Sequence, residues 1–389
     1  MTDGALQAVG RRLAINQLRE RMPLDYGDVT RFLESHAAPI VEGARCTFLF
    51  RGEADEVHLV QRIVELPNRL PLRRLRGTDL WYLVLELPRG SRIEYQLELR
   101  RGPHYERIND PLNPARSHSP MGSSSVCFAY GYETPEWTNV DPEARPGQLT
   151  EIVVPSRALG RECAVTMYLP ARFHRSTRYP LLVVHDGSDF LRYSAAKAVL
   201  DNLIHRLDIA EMVVAFIDPG DRLKEYANSA AHSRFLTREL LPQLETEFPL
   251  IAQPSARCLL GSSFGAIAAL SAANRSPDTY GALALMSGSF VFTDIATDHG
   301  GGPAFDPVVK FVNGFRARPR HVADQVFMSC GVYEPLIVPN RAMVLTLEGA
   351  GVAVRFAEAR DGHSWENWRD RLRDALSYVY PGPQKLVYE

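Results

Sequence analysis

The residues Gly261-Ser262-Ser263-Phe264-Gly265 place a serine hydroxyl between two glycines. The apolar run RCLL precedes them and FGAIAALSAANR, a helical stretch, follows. A strand, a sharp turn and a helix form the setting in which a serine is lifted above a sheet as a nucleophile. The flanking glycines remove Cβ atoms that would collide in so tight a turn. The helix start adds partial positive charge, and the Phe264 N–H is placed to face a developing oxyanion.

A serine hydroxyl attacks only when a base takes its proton. In such a nucleophile elbow the acid and then the histidine come from later strands. His363, in ARDGHSWENWRDRL, follows the last strand candidate AVRFAEA and precedes the last helix. His299 and His321 lie ahead of the last two strands and fit that order poorly. The acid should follow the penultimate strand, QVFMSCG, which points to Glu334 in GVYEP. Pro335 holds the Glu334 backbone extended. Asp361 is the competing acid, although its place two residues before His363 reads as a solvated turn. A second oxyanion donor should come from the loop of PLLVVHDGSDF, as the N–H of Gly187 or Ser188, with Asp186 shaping the turn.

The elements that must position these groups are legible in the pattern. Eight strand candidates, LTEIVVP, AVTMYLP, PLLVVHD, MVVAFID, RCLLG, ALALMS, QVFMSCG and AVRFAEA, alternate with helical stretches from residue 148 onward. Apolar strands alternating with helices predict an α/β domain over 148–389, its mostly parallel sheet covered on both faces. Residues 1–35 read as helical, with Leu13, Ile15, Leu18 and Met22 as the apolar positions. Short alternating segments over 36–132, among them CTFLFRG, EVHLVQ and DLWYLVLELP, predict an all-β sandwich. Residues 133–147 are rich in proline and charge and read as a linker, and DHGGGP reads as a loop.

Bulk properties narrow the function. At 389 residues, two domains are the default. A net charge of −2 argues against nucleic acid as a partner. Five scattered cysteines show neither metal-site nor disulfide spacing and read as buried thiols. No metal or cofactor is implied. No run of about 18 apolar residues is present to cross a membrane, and no secretory signal is seen, so the cytoplasm is the expected location.

The order HDGSDF, DRLKEY, FLTRELLPQLE, GSSFGA, SGSF, GVYEP and DGHSWENWRDRL resembles the esterase D-like branch of the α/β-hydrolases. VTRFLESHAAP, CTFLFRG, RGTDLWYLVLELP and NDPLNP look like the immunoglobulin-like domain of enterochelin esterases. The resemblance covers nearly the whole chain. It implies cytoplasmic hydrolysis of the ester bonds of a ferric catecholate siderophore, a small-molecule iron complex. It also implies Ser263 as nucleophile, His363 as base, Glu334 as acid and Arg222 on the substrate side. The alternative for Arg222 is a solvated loop arginine; Arg69, Arg73, Arg74 and Arg76 either extend a basic rim or form an exposed edge. Two features depart from the family: Asp361 replaces the first of two glycines before the histidine, and Trp365 and Trp368 follow it.

Two other readings stay open. A carboxylesterase of the same branch would act on feruloyl- or carbohydrate-linked esters, with Trp81 as a stacking residue unless it points inward. A non-catalytic binding protein would keep the hydrolase scaffold alone.

Overall fold

The computed structural model describes residues 13–292 and 302–383. It divides into two compact units. One runs to Glu133 and takes in Arg360–Gly362; the other comprises Thr134–Ala359 and the chain from His363. His299 and most of the DHGGGP stretch lie outside the described residues.

In the first unit, helices α1 (Ala14–Glu20) and α2 (Tyr26–Ser35) precede ten strands. A reciprocal cap starts α2, with the Asp28 N–H donating to Asp25 and the Asp25 N–H to Asp28. Ile15, Leu18, Val29 and Phe32 share a core with Leu49, Leu75, Leu80 and Tyr82. The helical segment is therefore part of the sandwich unit. Met22 departs from the expectation: it falls beyond α1 and is exposed.

The strands are β1 (Ile40–Glu42), β2 (Arg45–Arg51), β3 (Glu56–Gln61), β4 (Arg69–Pro71), β5 (Arg73–Arg74), β6 (Leu80–Glu86), β7 (Arg92–Arg101), β8 (His104–Ile108), β9 (Arg116–Ser119) and β10 (Gly122–Phe128). One sheet runs β1-β2-β6-β5 and the other β4-β3-β7-β10-β9, with β8 on β7. Phe48 of the first sheet meets Tyr95 of the second edge-on at 4.9 Å. Trp81 is buried and donates to the Gly52 carbonyl, so it points inward and is not a stacking platform. Arg69 and Arg74 pair with Glu98 and Glu53, while Arg73 and Arg76 are exposed.

The second unit carries the eight expected strands: β11 (Gln148–Ser156), β12 (Arg161–Leu169), β13 (Leu181–His185), β14 (Val213–Ile217), β15 (Arg257–Ser262), β16 (Ala282–Met286), β17 (Gln325–Gly331) and β18 (Ala353–Ala359). Their spatial order is β11-β12-β14-β13-β15-β16-β17-β18. The first two pairings are antiparallel and all others parallel. Every residue of β13, β14 and β16 is buried. Alternate residues enter opposite cores: Leu181 and Val183 one, Leu182 and Val184 the other.

Helices α3 (Gly187–Tyr193), α4 (Ala196–His205), α5 (Arg222–Tyr226), α6 (Ala230–Arg234), α7 (Leu241–Glu247), α8 (Phe264–Arg275), α9 (Asp306–Ala317), α10 (Ile337–Gly349) and α11 (Trp365–Val379) complete the unit. The stretch read as a linker is packed instead. The Asn202 side-chain amide donates to the carbonyls of Trp137 and Asn139, and the Gly147 N–H donates to Asp201. Those polar groups satisfy backbone that would otherwise need water.

The parallel register decides where chemistry can occur. Val184 pairs with Leu260, Gly261 with Leu285, Met286 with Ser329, and Gly331 with Ala359. The segments after β13, β15, β16, β17 and β18 therefore leave the sheet at one carboxyl edge, where such sheets bind ligands. Asp186, Ser263, Ser287, Glu334 and His363 all stand on those segments.

Candidate active site

Ser263 occupies a strained elbow with φ of 55° and ψ of −118°. A Cβ on Gly261 would lie 2.2 Å from the Gly265 carbonyl oxygen, so glycine is required there. The Ser263 N–H donates to the Met286 carbonyl at 2.9 Å, and the Ser289 N–H to the Ser263 carbonyl at 3.1 Å. These bonds tie the elbow to the loop after β16. The Ser263 hydroxyl lies 3.3 Å from that of Ser289. Phe264 opens α8, so its N–H has no acceptor within the helix.

Glu334 is 1% exposed, in the turn after β17. Its Oε2 meets Nδ1 of His363 at 2.6 Å. Its Oε1 accepts from the Ser287 hydroxyl at 2.6 Å and from the Gly331 N–H at 2.8 Å. A buried carboxylate with both oxygens engaged has one orientation. With Nδ1–H directed at Glu334, Nε2 of His363 is left as the acceptor.

Trp368, from α11, donates its indole N–H to the Ser287 hydroxyl at 3.0 Å. Its ring stands perpendicular to the His363 ring at 5.0 Å. His363, Glu334, Ser287 and Trp368 thus form a closed circuit of contacts. Asn340 holds the neighbouring Gly288 through both its N–H and its carbonyl. The sequence alone does not single out Ser287, Ser289 and Asn340, and Trp368, a buried core residue, takes part in this circuit as well. The signal available was a run of small polar residues, SGSF, at the end of an apolar strand. Ser287→Ala should lower turnover about tenfold, because it strips a donor from a buried carboxylate and strands the indole N–H. Kinetics on any accepted ester checks this, with Trp368→Phe expected to lose less.

The loop after β13 treats its two proposed donors differently. Ser188 spends its N–H on Asp218 Oδ1 at 3.1 Å, which removes it as an oxyanion donor. Gly187 carries no such bond among the described residues. A Cβ there would lie 2.5 Å from the Phe216 Cβ. Asp186 adopts the left-handed region with φ of 54° and shapes the turn as expected. Arg222 meets Asp186 with two bonds of 2.8 Å, so its charge is paired, while its side chain remains 38% exposed.

Asp361 corrects the sequence reading. It is buried, not solvated, and lies 3.0 Å from Arg92 within the first unit. Burial pushes its carboxyl up to about 7, against the opposing pull of Arg92. The Nδ1 bond of His363 belongs to Glu334, which separates the two acids that the sequence left in competition. His321 is exposed and faces Asp324 at 3.8 Å.

Beneath the elbow, His185 and His232 are buried with their Nε2 atoms 3.1 Å apart. Burial pushes His185 down to about 4 and His232 well below its usual range. An unfolded chain takes up these protons near pH 6.5, whereas the folded one resists until about 4. The stability they contribute is thus present above pH 6.5 and lost as pH falls through 4. Thermal melts should show a falling midpoint across that window, shallower in His232→Asn. Equal slopes in the two proteins would contradict this.

All five cysteines are buried and free. Among the described residues, no helix is long and apolar enough to cross a membrane.

Comparison with known proteins places the chain among esterases. Residues 156–379 match the family described as "Putative esterase". The iron(III) enterobactin esterase of Escherichia coli is 25% identical over 331 residues, covering 78% of this chain and 80% of that one. The enterobactin esterase of Shigella flexneri, solved in the presence of enterobactin, is alike in fold: TM-score 0.70 and 21% identity, covering 86% of this chain and 92% of that one. A ferulic acid esterase is alike with TM-score 0.53 and 20% identity, covering 61% of this chain and 99% of its own. With a family match over more than half its length and a fold shared with an enterobactin esterase, this chain has an α/β-hydrolase-like fold and belongs to the family described as "Putative esterase".

Proposed function

We propose that the chain is a serine esterase working through an acyl-enzyme on an ester of a ferric catecholate siderophore. The observation that carries the mechanism is the 2.6 Å bond between Glu334 and His363 at the sheet edge that bears the Ser263 elbow. Nε2 of His363 takes the Ser263 proton as Oγ attacks the ester carbonyl. The imidazolium that forms is stabilised by Glu334. The carbonyl oxygen becomes an oxyanion facing the N–H groups of Phe264 and Gly187, each donor worth about 3–4 kcal/mol. Collapse expels the alcohol, which receives the proton from His363. Water then repeats the sequence on the acyl-serine and regenerates the free hydroxyl.

The substrate reading rests on the relatives, since the enterobactin esterase similarity extends over 78% of the chain. The iron enters as part of the substrate. Free buried thiols fit a reducing compartment, and we assign the cytoplasm on that ground. A second reading, a feruloyl esterase, is favoured by the fold shared with a ferulic acid esterase.

A panel of a ferric catecholate serine ester, methyl ferulate and p-nitrophenyl acetate separates these readings, with Ser263→Ala as control. The catecholate should give a kcat/KM at least about tenfold above the others, a difference of ~1.4 kcal/mol in transition-state binding. Preference for methyl ferulate would favour the second reading, and turnover of none of them would remove both.

A further inference from the structure

We propose that Arg222 is a positioning residue that holds the two sides of the oxyanion pocket together, and not a binding residue for the substrate's charge. The inference rests on the serine esterase reading and extends it to how the pocket is kept in shape.

The turn Asp186-Gly187 and the elbow Ser263-Phe264 follow adjacent parallel strands, β13 and β15. Each contributes one proposed donor. Asp186 sits in the left-handed region, which costs a non-glycine residue energy unless its surroundings hold it there. Two groups do so. Its backbone N–H donates to the Tyr226 hydroxyl at 3.1 Å. Its carboxylate, 3% exposed, takes two parallel bonds from Nε and a terminal nitrogen of Arg222, both 2.8 Å. A two-pronged guanidinium–carboxylate pair fixes direction as well as distance. Gly187 is the next residue, so its N–H direction follows from the Asp186 backbone.

The same guanidinium reaches the other turn. Its central carbon lies 5.9 Å from the centre of the Phe264 ring and 5.6 Å from that of Tyr226. Both distances are within the range where a cation is drawn to an aromatic ring. The backbones are also close, because a Cβ on Gly265 would lie 3.2 Å from the His185 Cβ and 3.4 Å from Asp186 Oδ2. Arg222 therefore touches the residue before one donor and the side chain of the other. Its charge is already neutralised by Asp186, which leaves it a poor magnet for an anionic substrate.

The two roles separate by substrate charge. A binding arginine acts through KM and only for an anionic ester. A pocket clamp acts through kcat and for a neutral ester equally. Arg222→Met, Arg222→Lys, Asp186→Asn and the Arg222→Met, Asp186→Asn double variant should be assayed on p-nitrophenyl acetate and on the ferric catecholate ester. On the neutral ester, kcat should fall about tenfold or more in Arg222→Met with KM within about threefold of wild type. Arg222→Lys should recover part of the loss, and the double variant should lose no more than the worse single one. Near-UV circular dichroism establishes that each variant is folded; if Arg222→Met is not, Arg222→Lys and Asp186→Asn decide the matter. Unchanged kcat on the neutral ester with raised KM on the anionic one would overturn the proposal. Additive losses in the double variant would overturn it as well. Ser263→Ala distinguishes the failures: if it stays active the esterase mechanism itself is wrong, and if it is inactive only the clamp is.

Discussion

A Ser263→Ala protein should turn over ester at least about 10⁴-fold more slowly than wild type while keeping its melting temperature within a few degrees. The loss is large because the variant has no hydroxyl at the elbow to attack the ester. Ser289, whose hydroxyl lies 3.3 Å away, sits in the loop after β16 and not in the elbow. Unlike Ser263, it therefore does not stand at the start of a helix. The fold should tolerate the change, since the Ser263 backbone bonds to Met286 and Ser289 remain. The measurement is steady-state kinetics with a thermal melt on the same preparation. A loss below about tenfold would mean that another group performs the attack.

Glu334→Gln should cost about 10⁴-fold in kcat, because an amide no longer enforces the Nδ1–H tautomer nor balances the imidazolium. Three donors converge on the Glu334 carboxylate: His363, Ser287 and the Gly331 N–H. An amide must offer its own hydrogens to at least one of them, so the circuit through Trp368 loosens at the same time. Asp361→Asn serves as the comparison, since Asp361 pairs with Arg92. It should leave the triad chemistry in place, whatever it costs in stability. If Asp361→Asn were inactive and Glu334→Gln active, the acid would be misassigned.

Much of this arrangement is legible in the sequence. Eight apolar segments alternating with helices set the sheet, and the order of Ser263, Glu334 and His363 along those strands placed them at one edge. Strand order, Pro335 and the closeness of Asp361 to His363 favour Glu334 as the acid, and Glu334 is the residue bonded to His363. The parts that were missed are contacts between distant segments. Asp361 reads as solvated because it stands two residues before His363, in a turn; its actual partner, Arg92, is 269 residues away. Ser287 had no signature beyond a small side chain, and its importance arises only where Glu334 and Trp368 converge on it. The donor loop was narrowed to Gly187 by Asp218, a residue at the end of β14 whose reach to Ser188 no local pattern reveals. Residues 133–147 had the composition of a linker, yet Asn202 and Asp201 provide the polar partners that hold them down.

A fluorophosphonate reacts with a serine only when its proton is being drawn away and its oxyanion is accommodated. Treating the native protein with such a probe and locating the adduct by peptide mass spectrometry tests both requirements together. The adduct should sit on Ser263, form readily in the wild type, and form at least about a hundredfold more slowly in His363→Ala. No adduct under native conditions, or one on a different side chain, would leave a hydrolase scaffold without the chemistry attributed to it.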